Sequence, residues 1–188
     1  QLLDYTERPA REEIGRMPDG VYTFTDEMDD DGISEARIPI KVTISVEGEG
    51  FVADFDGTGA QVRGAINSAI SFTKSAVYGC VRCLMDAALP TNSGFFRAIE
   101  VKAPPGSVVN PVPPAPVAAR GLTGFRLANA ILGALAGIAP DLVPACEVGG
   151  DTGISIGGYD EKGEAFVLLE FLLGAWGGRP DRDGIDAA

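Results

Sequence analysis

The 188-residue chain contains no histidine. That absence excludes any Ser-His-Asp or Cys-His catalytic arrangement built from this sequence alone, and it leaves carboxylates as the ligands for any metal. Cysteine is scarce as well. Cys80, Cys83 and Cys146 are an odd number in a chain too large to need staples, which argues against a disulfide framework and fits a reducing compartment, with the cytoplasm as the expectation. Cys80 and Cys83 have the spacing of a redox or zinc half-site, but there is no second pair and both fall on a mostly apolar helical stretch, so they read as small buried thiols. Cations are also few: 15 Lys and Arg against 27 Asp and Glu, a net charge of -12. Nucleic acid is thereby excluded as a partner, because neutralising phosphates takes clustered Lys and Arg. The longest uncharged apolar run, Leu127 to Pro140, is well short of the ~20 residues of a membrane-spanning helix. No transmembrane segment and no membrane partner are expected from this sequence.

What remains is the composition of a globular protein, 45% hydrophobic and 22% charged, with 25 glycines and 13 prolines that imply many turns. A domain of this length buries roughly 70% of the surface its unfolded chain exposes, so a core is within reach. The sequence enters at Gln1 in the middle of a helical pattern and trails off in turn residues from Asp183 to Ala188. Residues 1–188 therefore read as a single or partial domain, an internal fragment of a longer chain.

Leu2 to Met17 suits a helix closed by Pro18-Asp19-Gly20. Val21, Tyr22 and Phe24 begin a strand. Ile38 to Val46 alternates apolar and polar as a half-buried strand does, with Pro39 confined to an edge or to its first residues. Gly48-Glu49-Gly50 is a hairpin turn into Phe51 to Phe55, giving three antiparallel strands. A second helix is expected from Ser68 to about Leu89 and a third, apolar nearly all round, from about Thr123 to Ala139, interrupted only by Arg126 and Asn129. Between them lie a strand at Arg97 to Lys102 and a proline-rich crossing from Pro104 to Pro116, whose interleaved valines suit a segment lying against the body. Short strands follow at Ile154 to Ile156 and Phe166 to Leu172. The fold class is α+β: antiparallel strands in the N-terminal third and two buried helices packed on a mixed sheet.

Three motifs fail their chemical tests. Gly57-Thr58-Gly59 follows a strand, yet Val62 stands where a dinucleotide fingerprint needs its third glycine and no Gly-Lys-Ser/Thr is present, so a tight turn is expected. Asp29-Asp30-Asp31-Gly32 resembles a calcium loop, but Ile38 occupies the position of the bidentate glutamate, and a solvated acidic turn is expected. Cys80 and Cys83 are the third. Arg120-Gly121-Leu122-Thr123-Gly124-Phe125-Arg126 is more informative, since two arginines at the start of a helix can converge on an anion or pair with acids in a subunit contact. Gly174 to Gly184, with Trp176 and Arg179 among glycines and charges, reads as a shaped loop that lines a site or closes an interface.

Taken in order, Asp54-Phe55-Asp56-Gly57-Thr58, Gln61 to Asn67, Arg120 to Arg126, and Gly174 to Gly184 with Arg179-Pro180 and Asp183-Gly184 inside it resemble the hydantoinase B/oxoprolinase family. Tyr5-Thr6-Glu7-Arg8, Pro18-Asp19-Gly20 and Asn110-Pro111 before Pro113-Pro114 fit the same pattern. The resemblance implies an ATP-dependent, cytoplasmic hetero-oligomer in which ATP with Mg2+ is held by an A-type nucleotide-binding partner and the B-type part joins it in opening hydantoins, N-methylhydantoin or 5-oxoproline. In that chemistry the lactam oxygen is phosphorylated before water attacks the carbon. The small-molecule substrate would meet Asn67, Arg120, Arg126 and Arg179, with the two helix arginines on a phosphate or carboxylate and Asn67 hydrogen-bonded to substrate. No catalytic residue and no metal ligand carries over to this chain, and no cofactor is expected on it. Two alternatives stay open: a component of an acetone- or acetophenone-type carboxylase, and a non-catalytic assembly module for the nucleotide-binding partner.

Overall fold

A computed structural model describes residues 1–186; Ala187 and Ala188, the last of the expected turn residues, lie outside the described residues. The chain divides into two compact units, the first Gln1–Val143 and the second from Pro144 onward.

The first unit is built on one mixed sheet. Strands β1 (Gly20–Met28), β2 (Ile38–Glu47) and β3 (Gly50–Asp54) run antiparallel, and β4 (Ile99–Lys102) joins β3 in parallel, giving the order β1-β2-β3-β4. Its period of two is strict. On β2 the residues Ile38, Ile40, Val42, Ile44 and Val46 are all buried while those between them are half-buried. The register sets Ile44 against Tyr22 and Ala53, so one face of the sheet is continuous core, whereas Thr43, Ser45, Val52 and Asp54 form the polar face. Pro39 is the second residue of β2, beyond the reach of β3, which pairs only with Thr43–Glu47. That is where a residue without an N–H costs the ladder nothing.

Helix α1 (Leu2–Ile14) is shorter than expected and packs on α3 (Ser93–Arg97), a short helix not anticipated from sequence, after which β4 begins at Ile99, two residues later than expected. Asn92 caps α3 by accepting from Gly94 N at 2.8 Å and donates to Thr6 Oγ1 at 3.0 Å, so one amide starts α3 and docks α1. Helix α2 (Ile70–Arg82) ends well before Leu89. The reason is Arg82 itself, whose guanidinium donates to the carbonyls of Asp86, Ala87 and Leu89 at 2.8–3.0 Å and winds the following residues around its own head.

Helix α4 (Arg120–Leu135) starts and stops about one turn earlier than expected. It lies across β1 and β2 and alongside α2, burying Leu127, Ala130, Ile131, Ala134 and Leu135 against the sheet's apolar face and against Val77 and Val81. Gly133 permits the approach. A side chain there would overlap the ring of Phe24 on β1.

In the second unit β5 (Asp151–Tyr159) and β6 (Ala165–Leu173) form an antiparallel hairpin, longer than the short strands expected. The loop that follows folds back, with Trp176 bridged to Ile185 and Arg179 to Arg182, and is tied to the segment before β5 by Ala145 N donating to Gly178 O at 2.8 Å. Among the described residues no helix is long and apolar enough to cross a membrane.

Ile131 is fully buried and Leu122 is 40% exposed on the same helix. Ile131→Ala is expected to lower the unfolding free energy by about 2–5 kcal/mol, and Leu122→Ala by no more than about 0.5 kcal/mol, read from urea midpoints.

Candidate functional site

The segment from Gly57 to Ala69 links β3 to α2 and carries Asn67 and the Gly57-Thr58-Gly59 turn that the sequence singled out. Much of its backbone is engaged within the unit. Gly59 N donates to Pro39 O at 2.8 Å, Thr58 N to Phe55 O at 3.1 Å, Gln61 N to Gly106 O at 2.7 Å and Ser68 N to Val108 O at 2.7 Å. The Thr58 hydroxyl donates to Lys41 O at 2.9 Å. A phosphate cradle needs free N–H groups leading directly into a helix, and here they are spent on β2 and on the proline-rich crossing, with α2 beginning only at Ile70. The residues do not fit a nucleotide.

Asn67 is fully buried, and its side chain is fully engaged with backbone. Oδ1 accepts from Val62 N at 2.9 Å, while Nδ2 donates to the carbonyls of Val62, Gly64 and Pro116 at 2.9, 3.1 and 2.9 Å. The amide proposed from sequence as a substrate contact is instead a pin between the loop and the crossing.

Asp31 corrects a second expectation. It is 6% exposed, so the acidic run is no solvated turn at that position. Oδ1 accepts from Ile33 N, Ser34 N and Ser34 Oγ at 2.6–3.0 Å, and Oδ2 from Gly64 N at 2.9 Å. These donors hold its carboxyl well below the ordinary value. Gly64 has to be glycine, because a Cβ there would overlap the Asp31 carbonyl oxygen. Thr123 at the start of α4 completes the set by donating from Oγ1 to Ile66 O.

The two arginines of α4 do not converge. Six residues along a helix place side chains on different faces. Arg120, exposed at the first turn, lies 5.9 Å from the centroid of the Phe72 ring on α2 and donates to Val117 O at 3.3 Å. Arg126, partly buried, pairs with Asp26 of β1 at 3.3 Å. The acid that Arg126 meets is thus one of its own unit and not one across a subunit contact. Arg179 is exposed in the folded loop of the second unit.

Asn129 reads from sequence only as an interruption of an apolar helix. It lies one turn from Arg126 on α4, is 4% exposed, and its Nδ2 has no hydrogen-bond partner among the described residues. An unpaired buried amide is costly, and it is a donor suited to a carbonyl or carboxylate. Cys80 is buried as expected, which pushes its thiol up to about 12, but Cys83, expected to be buried too, is exposed because α2 ends at Arg82. Among the described residues no cluster of three or more His, Cys, Asp or Glu side chains is placed to hold a metal ion.

The mixed sheet, the pinned loop and the arginine-bearing α4 define a domain class that comparison with known proteins identifies. The Hydantoinase B/oxoprolinase model matches residues 1–188, and the chain belongs to that family. It is 34% identical over 198 residues to the B-type subunit of a putative D-/L-hydantoinase from Pseudomonas sp. (strain NS671), covering 100% of this chain and 33% of that protein. A 5-oxoprolinase of Saccharomyces cerevisiae is 34% identical over 112 residues, 59% of this chain and 8% of that one. Among solved structures, the ATP-dependent caprolactamase from Pseudomonas jessenii aligns with a TM-score of 0.81 and 25% identity over 99% of this chain and 33% of its own. Nucleotide-free acetone carboxylase shares the fold at a TM-score of 0.75 and 14% identity, over 93% of this chain and 26% of its own. The chain therefore spans about a third of the hydantoinase polypeptide it matches.

Asn67→Ala strands one backbone donor and three carbonyls, and an expected loss of roughly 2–4 kcal/mol follows, measured by urea unfolding. For Asp31 the folded pKa is depressed, so its contribution is complete above the ordinary value of 3.8 and is lost as pH falls through the folded value. The difference in urea midpoint between the wild-type chain and Asp31→Asn is accordingly widest at neutral pH and narrows on acidification below 3.8.

Proposed function

We propose that this chain is part of the B-type component of an ATP-dependent enzyme that opens cyclic amides, with hydantoin, N-methylhydantoin and 5-oxoproline as the substrate class. The observation that carries the reading is the 34% identity to a B-type hydantoinase polypeptide along the whole chain. The likeness to a caprolactamase at 25% identity adds a cyclic-amide enzyme, whereas the 14% identity to acetone carboxylase supports the fold alone.

ATP and Mg2+ belong, in this reading, to an A-type partner, because the Gly57–Ala69 loop does not fit a nucleotide. The whole is a cytoplasmic hetero-oligomer. This chain supplies scaffold and part of the pocket wall. Arg126, paired with Asp26, gives α4 a partly buried cation suited to an oxygen bearing negative charge. Arg120 offers a second cation at the first turn of the helix, and Arg179 a third in the second unit. Exposure of Trp176, 59%, favours a contact role for the loop that carries Arg179.

Phosphate release is the test, using the product of the whole open reading frame with its A-type partner and ATP, across cyclic amides, acetone and acetophenone, with and without bicarbonate. Stimulation by a cyclic amide without bicarbonate is expected. A requirement for ketone and bicarbonate would move the protein to the carboxylases. In the active pairing, Arg126→Ala should lower turnover on the order of a hundredfold, with Lys a poor replacement because the pairing with Asp26 uses a guanidinium. Near wild-type rates in Arg126→Ala and Arg120→Ala, with folding unchanged, would remove both from the site.

A further inference from the structure

The turn that closes α2 sets two thiols side by side. Cys80 and Cys83 share the spacing of a redox pair, and Cys83 is the residue that caps the helix at its C-terminal end. Its N–H is shared between Gly79 O and Cys80 O, at 3.2 Å to each. The second of these is a 3₁₀-type bond joining the two cysteines themselves, and in that geometry side chains three residues apart eclipse one another. A helical turn already sets such Cα atoms about 5 Å apart, inside the range that a disulfide spans. Their surroundings differ. Cys83 is exposed, whereas Cys80 is 8% exposed with its Sγ 4.0 Å from Ala128 O on α4. Burial, and after it the charge of a neighbouring Cys83 thiolate, pushes the Cys80 thiol up to about 12. Cys83 is therefore the thiol that an oxidant in solution meets first.

We propose that Cys83 and Cys80 are a reversible oxidation site, in which a hydroperoxide oxidises Cys83, Cys80 closes a disulfide onto it, and the closure loosens α2 from α4. In the first step the Cys83 thiolate attacks one oxygen of the hydroperoxide. The O–O bond breaks, that oxygen stays on sulfur as a sulfenic acid, and with hydrogen peroxide the other leaves as hydroxide and is protonated to water. In the second step the Cys80 sulfur attacks the Cys83 sulfur, the S–O bond breaks, and the hydroxyl leaves as water with the Cys80 proton. Two thiols have then lost two electrons to the peroxide. Forming the bond draws the Cys80 sulfur away from Ala128 O, which is how the oxidised pair reaches α4. Among the described residues no cluster of three His, Cys, Asp or Glu includes the pair, so it is not read as a metal site. Both cysteines, the bond between them and the α4 contact lie in the first unit, and the proposal does not rest on the cyclic-amide reading.

The test uses the product of the open reading frame that carries this sequence, reduced, exposed to hydrogen peroxide, blocked with N-ethylmaleimide and digested without reductant for mass spectrometry. Trypsin cuts after Lys74, Arg82 and Arg97, so residues 75–82 and 83–97 separate while both thiols are free and stay joined once the disulfide forms. The joined pair should be the main oxidised form of these peptides and should vanish on adding reduced glutathione. Cys83→Ser, a change at an exposed position, should leave Cys80 unoxidised. Cys80→Ala should carry Cys83 at least about tenfold further into sulfinic acid than in the wild type. Hydrogen exchange across residues 120–135 should quicken at least about threefold in the joined form and stay unchanged in peroxide-treated Cys83→Ser. Four results would overturn the proposal: a Cys83 that peroxide leaves untouched, Cys83 joined to Cys146 or another thiol in place of Cys80, Cys80 oxidised as readily in Cys83→Ser, or α4 exchange that is the same in the reduced and joined forms.

Discussion

Two buried polar side chains with every hydrogen bond made hold the centre of the first unit. Asp31 grips Gly64 from one side, and Asn67 grips Val62, Gly64 and Pro116 from the other. Between them they fix a loop without regular structure in a place where its backbone is buried, which is tolerated only because its donors and acceptors are met. Ladder contacts then carry the constraint outward: Val108 N donates to Gly59 O at 2.9 Å and Ala119 N to Ala65 O at 2.8 Å. The proline-rich crossing is thus held against the body, as fully buried Val108 and Val109 show, and it delivers the chain to the start of α4.

That delivery sets what α4 can do. Thr123 ties its first turn to the pinned loop, and Gly133 lets the helix approach β1 closely, so Arg126 reaches Asp26 while Arg120 turns toward Phe72 on α2. One rigid helix therefore separates its two cations. It also buries the Asn129 Nδ2, which has no hydrogen-bond partner among the described residues, and a polar group in that state calls for an explanation.

Within a hydantoinase B/oxoprolinase-type protein these features suggest a division of labour. The Gly57–Ala69 loop, despite its glycines, is held by backbone and side-chain hydrogen bonds, and α4 carries Arg120 and Arg126 on different faces. The second unit adds a folded loop with an exposed tryptophan and an antiparallel hairpin.

Sequence alone determined the periodic parts and the family. The alternation from Ile38 to Val46, the Gly48-Glu49 turn and the apolar α4 were legible because burial on one side imposes a fixed period on side chains. The order of motifs along the chain identified the family because it needs no knowledge of contacts. Only the tertiary structure decided the rest. Arg82 ends α2 and Asn92 starts α3 through hydrogen bonds made by single side chains, which leave no periodic trace. Asp31 looked solvated because the glycine that buries it lies far along the chain, and Asn67 looked available because its acceptors come from three separate residues. Whether a polar side chain serves the fold or a ligand depends on which partners folding brings within hydrogen-bond distance, and that is a property of long-range packing that no local pattern encodes.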